Sequence, residues 1–197
     1  AGLRWLGPAW GATRYAGGTG APGPLTAHGV ELLGEMDRLG VALDVSHLAE
    51  DSFWQAMRSF KGPVASSHAN CRALVPGDRH LSDEMIRAII DRDGVVGLVL
   101  YNKFINGDWD GDKQSVTLRD LVRHVERVCE LAGDTRHVAL GSDFDGGFGL
   151  EGIPAELTRW GDLRLIGGAL AQQGWSDRDI ANLLGGSWRR WLGGVLP

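Results

Sequence analysis

Two short apolar runs in the sequence end on histidine: "LDVSH" reaches His47 and "PVASSH" reaches His68. A third, "VALGSDF", carries Asp143 at its end and continues into "DGG". In a parallel α/β layout the carboxyl ends of strands face the ligand crevice. These three side chains are therefore candidates to meet. Neutral imidazole and carboxylate are ligands that zinc takes in catalytic sites, and clustered ionisable groups in a cleft mark function. Each residue also has a blander reading. A lone histidine at a strand end is commonly a hydrogen-bonded loop residue, and an acidic pair before glycines is commonly a turn. Asp44 is out of strand phase with His47, so a buried or supporting role is expected for it. His28, His80, His124 and His137 have no comparable placement; His124 reads as a helix-surface residue and His137 as a strand start.

Cys71 stands three residues after His68, in "SHANCRAL". A catalytic Cys/His pair would need further groups for acyl transfer through a thiol, and nothing else in the chain supplies them. Arg72 and Arg79 follow in the same loop. Loop arginines are usually solvated, but beside a metal cluster an arginine can clamp a substrate carboxylate bidentately. Most of the eight tryptophans read as packing, with Trp188 and Trp191 docking the last helix.

The elements that would position these side chains alternate regularly. Residues 2–10 read as a strand ending at Trp10, and a Gly/Pro-rich loop follows. Thr26 reads as the N-cap of a helix with Val30, Leu33, Met36 and Leu39 on one face and Gly40 as its stop. Residues 41–47 form the second strand, 50–60 a helix, and 63–68 a short third strand. Ser82 caps the next helix, and Asp83 and Glu84 in its first turn suit the helix dipole. "VVGLVLY" is apolar on both faces, as a strand buried in a parallel sheet reads. Residues 118–132 form an amphipathic helix, 137–144 the fifth strand, and "SDRDIANLLGGSWRRWL" the final helix. This βα alternation requires parallel strands with right-handed crossovers. A doubly wound sheet and a (β/α)8 barrel both satisfy it. Five strands do not close a (β/α)8 barrel, so a barrel reading places about three βα units before this stretch.

Composition excludes several classes. The chain is 43% hydrophobic and 23% charged, with a net charge of −5, which suits one soluble domain. No Lys/Arg-rich block points to nucleic acid or an anionic membrane. Two cysteines make neither a disulfide framework nor a Cys-type zinc site, and read as free thiols of a reducing compartment. No apolar run reaches the roughly 18 residues of a membrane helix, and "AGLRWLGPAW" lacks the pattern of a signal peptide. A cytoplasmic location is expected. Neither phosphate-binding glycine motif, G-x-G-x-x-G after a strand or G-x-x-x-x-G-K-[ST], is found. The 30 glycines, without a short period, indicate many tight turns.

In combination, "LDVSH", "PVASSHANCRAL", "RHLSDEMIRAIIDRDGVVGL" and "VALGSDFDG" resemble the renal (membrane) dipeptidase family, the M19 metallopeptidases. The resemblance runs from residue 2 to the final helix, with the motifs in the family's order and spacing. It implies that residues 1–197 form a single partial domain, the C-terminal part of a (β/α)8 TIM barrel of metallo-dependent hydrolase type. It implies two Zn2+ ions at the barrel mouth of the full-length protein, and one or none on this chain. His47 and His68 match the two histidines of the second zinc. Asp143 matches the aspartate that binds the first zinc and accepts a proton from the bridging water. Arg79 matches the arginine that grips the substrate's carboxylate. The implied substrate is a dipeptide, including one with a D-residue at the second position; a homodimer is a candidate assembly.

The chain departs from the family pattern at three places. It contains no His-x-Asp, the motif that serves the first zinc, and the bridging glutamate of the third strand is absent too. Trp10 stands where the family places a substrate-contacting histidine, which makes Trp10 a candidate substrate-binding residue and unsettles the usual dipeptide preference. The final helix reads "GGSWRR", with Ser187 in place of an asparagine. Two other readings therefore remain open: a catalytically degenerate homologue that binds a ligand or partner, and an amidohydrolase acting on a non-peptide amide.

Overall fold

In the computed structural model, which describes residues 2–196, the strands form where the apolar runs are densest. They are shorter than the runs themselves. β1 is Trp5–Leu6, β4 Ala42–Asp44, β5 Val64–Ala65, β6 Val96–Val99 and β7 Val138–Ser142. β1, β4 and β5 pair in parallel, as do β6 and β7. A parallel bridge from Ser66 to Val96 joins the two sets. The resulting order, β1-β4-β5-β6-β7, follows the chain without reversal. A doubly wound sheet reverses at a switch point, so the order is that of a barrel segment. The chain is a partial (β/α)8-type fold.

Local chemistry sets the helix ends. In α1 (Ala27–Leu39) the Thr26 hydroxyl accepts from the Gly29 N–H, and Gly40 closes the helix in the left-handed region at φ 65°. In α3 (Asp83–Ile90) the Ser82 hydroxyl accepts from the Met85 N–H. In α5 (Leu118–Ala132) the Asp120 carboxylate accepts from the Thr117 N–H at 2.9 Å. α2 (Glu50–Ser59) has no side-chain cap, and Glu50 and Asp51 occupy its first turn.

Four expectations are corrected. The Gly/Pro-rich stretch after Trp10 is a hairpin of β2 (Ala16–Gly18) and β3 (Ala21–Leu25), not a loop. Its glycines permit the pairing, since a Cβ at Gly17 would meet the Gly23 backbone. The buried face of α1 is Gly29, Leu33 and Met36, while Val30 and Leu39 are exposed. The helix turns Gly29 inward because only a residue without Cβ fits against the Tyr15 carbonyl. His124 is buried, not a helix-surface residue. Its Nδ1 accepts from the Cys71 N–H at 3.2 Å and its Nε2 donates to the Ile105 carbonyl at 3.1 Å. The final helix is broken. α7 (Asp177–Ala181) passes through one π turn, in which Gly185 takes φ 151°, into α8 (Ser187–Val195).

Strand residues alternate between two faces. Leu43, Val64, Val96, Leu98 and Val138 pack into the large core beneath the helices. Ala42, Ala65, Val95 and Ala139 face the other way and form a second cluster with Trp5, Trp188 and Trp191. The indole of Trp5 lies 5.2 Å from that of Trp188 and 5.0 Å from that of Trp191. Trp188 Nε1 donates to the Leu140 carbonyl at 2.9 Å. This inner face is therefore plugged by tryptophan at the amino ends of the strands and left open at their carboxyl ends.

Candidate metal centre

The open end gathers the three candidate metal ligands and the two candidate substrate-binding residues. His47, His68, Arg79, Asp143 and Trp10 all line one cavity of about 600 Å3. Backbone turns at the strand ends bring them there. Asp44, last in β4, accepts from the Ser46 N–H at 3.0 Å, and the chain then turns through His47 at φ 67°. Asp143, just past β7, sits at φ 57°. Left-handed backbone is disfavoured for residues with a Cβ, so two of the candidate ligands are held in strained positions. After Asp143, Gly146 closes the turn by donating to the Asp143 carbonyl at 2.9 Å. Further along this excursion, Lys113 Nζ donates to the carbonyls of Leu150 and Leu157, each at 2.7 Å.

The two imidazoles converge. Their Nε2 atoms are 2.9 Å apart and their ring centroids 4.8 Å. Burial is the main cause that pushes the His47 pKa down to about 3, and the charges of Arg79 and His68 add to it. Burial also lowers the pKa of His68; Arg79 adds to this, while Asp143 and Asp44 oppose it. Both rings are thus held neutral at physiological pH, the form in which an imidazole nitrogen can bind a metal. Each outer nitrogen has a hydroxyl partner: Thr19 Oγ1 at 3.0 Å from His47 Nδ1, and Ser67 Oγ at 2.6 Å from His68 Nδ1.

Arg79 is buried beside them. Its Nη2 donates to the His68 carbonyl at 2.8 Å, and its guanidinium lies 5.4 Å from the Phe104 ring centroid. Among the described residues its Nε and Nη1 have no partner. Burial lowers its pKa to about 10, against the opposing pull of Asp143, Asp44 and Asp78. It remains cationic, with two donors available to an anion. Trp10 is 76% exposed and its ring lies 5.8 Å from that of His47. Tyr101, Phe104 and Phe148 complete an aromatic wall.

The donor set suits a borderline-soft divalent metal in kind: two neutral imidazole nitrogens at contact distance, with a carboxylate on the same cavity. In number it is short. Among the described residues no three His, Cys, Asp or Glu side chains come close enough together to hold a metal ion. The thiol reading is excluded by position. Cys71 is fully buried, its Sγ lies 3.6 Å from the His124 carbonyl, and burial raises its pKa to about 12. Arg72 is neither solvated nor at the cavity: it forms an ion pair with Glu50 at 2.6 Å and donates from Nε to the His80 carbonyl at 3.0 Å.

Sequence reasoning missed three participants: Thr19, Ser67 and the aromatic wall. Thr19 sits at the tip of the unforeseen hairpin, which the Asp78 carboxylate pins by accepting from the Gly20 N–H at 2.8 Å. Ser67 could have been found by period-two counting, since Ala65 faces the inner side.

A family model described as membrane dipeptidase, peptidase family M19, matches residues 2–195. An uncharacterised protein of the pqqA 5' region of Klebsiella pneumoniae is 37% identical over 98% of this chain and 71% of its own length. Among solved structures, a metallo peptidase from Rhodobacter sphaeroides, liganded with a phosphinate mimic of the dipeptide L-Ala-D-Ala, superposes with a TM-score of 0.89 at 30% identity. That match covers 98% of this chain and 56% of the other. The metallo peptidase dipeptidase AC superposes with a TM-score of 0.90 at 28% identity, over 98% of this chain and 58% of its own. The chain thus spans somewhat more than half the length of these two solved structures.

Proposed function

The chain belongs to the membrane dipeptidase family, peptidase family M19, and from that membership we propose that it forms the C-terminal part of a zinc-dependent dipeptidase. The proposed substrate is a dipeptide, and one with a D-residue in second position is included. Residues 1–197 would act as one partial barrel domain whose activity belongs to the full-length protein. The observation that carries this reading is the convergence of two neutral imidazoles beside a buried arginine with two unpaired donors.

Each side chain then has a task. His47 and His68 would hold one Zn2+, and Asp143 would contribute to the other. When bound, the metals supply an acidified water and polarise the scissile carbonyl. Arg79 would fix the substrate carboxylate by a charge-assisted hydrogen bond from one of its free donors, Nε or Nη1. Asp143 would accept the proton of the attacking water and return it to the leaving amine. Trp10 and the aromatic wall would exclude water and contact the substrate. Two imidazoles are fewer than the three protein ligands of a catalytic zinc site, so this chain alone would bind at most one zinc weakly and would not turn over. Among the described residues no helix is long and apolar enough to cross a membrane; a cytoplasmic location and a homodimer belong to the proposal.

One observation favours a second reading. Trp10 lies over His47 where the family pattern has a histidine, which suits a degenerate binding protein or an amidohydrolase for non-peptide amides. Metal analysis of the full-length protein, with hydrolysis assays on L,L- and L,D-dipeptides and on simple amides, separates these. Chelator-sensitive dipeptide hydrolysis with about two zinc ions per chain is expected. Less than about one zinc and no hydrolysis would overturn the reading.

A further inference from the structure

The two imidazoles share one contact but differ in what stands behind them. Behind His68 lies Ser67, and behind Ser67 lies Asp44. The Ser67 hydroxyl contacts Asp44 Oδ2, stands 2.6 Å from His68 Nδ1, and is 3.1 Å from Ser46 Oγ. Asp44 Oδ1 meanwhile accepts from the backbone N–H groups of Ser46 and Ser67, both at 3.0 Å. The Ser46 hydroxyl in turn accepts from the His68 N–H at 3.0 Å. Asp44 is thus anchored to the turns that follow both β4 and β5.

A hydroxyl has one proton to give and two lone pairs. A carboxylate is the strongest acceptor within reach of Ser67, so the Ser67 proton goes to Asp44. Toward His68 the serine then offers only a lone pair, and His68 Nδ1 must carry the ring proton. Its Nε2 is left bare and faces the cavity. Behind His47 stands only Thr19 Oγ1, at 3.0 Å. Among the described residues that hydroxyl has no other side-chain partner, so it can donate to Nδ1 or accept from it. With His68 Nε2 bare, the 2.9 Å contact between the rings needs a proton on His47 Nε2, and Thr19 then donates to His47 Nδ1.

We propose that Asp44 and Ser67 are positioning residues that lock His68 in the tautomer with Nε2 free, while Thr19 leaves His47 able to change tautomer. The inference rests on the reading of both histidines as metal ligands, since its purpose is to present Nε2. Were both Nε2 atoms to hold a metal, His47 would carry its proton on Nδ1 instead of Nε2, exchanged through solvent, and the Thr19 hydroxyl would accept from it. No proton is lost overall. Partners that fix the outer nitrogen of a ligating histidine also set its ring orientation and basicity.

Nitrogen-15 correlation spectra of the histidine rings, assigned in the metal-free full-length protein, report the tautomers directly. The expected spectrum has His68 in the Nδ1–H form and His47 in the Nε2–H form. Ser67→Ala should mix the His68 tautomers, Ser67→Thr should restore the single form, and Thr19→Val should change only His47. In the full-length protein, chelator competition should show zinc affinity falling by about 10- to 100-fold in Ser67→Ala and Asp44→Asn. A wild-type His68 in the Nε2–H form would overturn the proposal without any variant. An unchanged His68 tautomer together with unchanged zinc affinity in folded Ser67→Ala would overturn it as well, leaving the dipeptidase reading intact. A locked His68 in a protein that binds no zinc would uphold the relay and defeat the metal reading.

Discussion

The same five strands make two unlike surfaces at their two ends. At the amino ends the inner face is Ala42, Ala65, Val95 and Ala139, sealed by three tryptophans. At the carboxyl ends the inner face carries Asp44, His47, His68, Arg79 and Asp143 around a cavity of about 600 Å3. Two of these residues have left-handed backbone and a third has unpaired buried donors. Tight packing at one end and unresolved polarity at the other is the division of labour that barrels show between stability and chemistry. A strand two to five residues long is enough to separate the two.

The sharpest test joins both ends. A Cβ at Gly97 would meet the Ser67 carbonyl above and, at 2.9 Å, the Trp188 indole below. Gly97→Ala should therefore cost about 4 kcal/mol in urea unfolding and disturb His68 as well; a loss below about 1 kcal/mol would mean that the ends are not coupled through β6. Trp191→Ala should cost about 3 kcal/mol by opening a void in a site that is 5% exposed. Its ring-nitrogen spectra for His47 and His68 should match wild type, and altered spectra would break the separation.

Acid lability should sit on the cavity side. His124 holds the segment after His68 through the Cys71 N–H, and burial lowers its pKa to about 4. A histidine with a depressed folded pKa stabilises fully above its unfolded value, and the stability falls as pH drops from about 6.5 towards 4. The loss attributable to His124 is roughly 3 kcal/mol when complete. Denaturant titrations at several pH values should show this slope in wild type and a shallower one in His124→Asn. His80, lowered to about 3 by burial, acts in the same direction. The smallest effect is expected at Trp10, which is 76% exposed. Trp10→Ala should change stability by less than about 0.5 kcal/mol and, on the proposed dipeptidase reading, raise KM in the full-length protein. A large drop in melting temperature would make Trp10 structural.

Much of this arrangement was legible in the chain. Apolar runs marked the five parallel strands, and Thr26, Ser82 and Gly40 marked helix ends. His47, His68, Asp143 and Trp10 were nominated because strand ends share one face of a parallel sheet, and Arg79, a loop residue, through the family resemblance. The hairpin was not legible, because backbone pairing by Ala16–Gly18 needs no side-chain pattern and its glycines read as loop. The burial of His124 was hidden because a polar residue on an amphipathic helix looks solvated until a carbonyl and an N–H arrive from elsewhere. The rotation of α1 was hidden too. Gly29 faces inward for lack of a side chain, an attraction that hydrophobic periodicity cannot register.

The tryptophan plug also sets an order of events. Trp5 meets Trp188 and Trp191 at 5.2 and 5.0 Å, although they stand at opposite ends of the chain. Contacts so remote in sequence carry the largest loop-closure entropy and tend to form late. A chain emerging from the ribosome would hold Trp5 unpaired until α8 follows it out. Closely spaced indoles also couple optically, and Trp188 and Trp191 already lie 5.9 Å apart in α8, so the far-ultraviolet exciton signal of that pair should change when Trp5 joins it and report closure of the clasp.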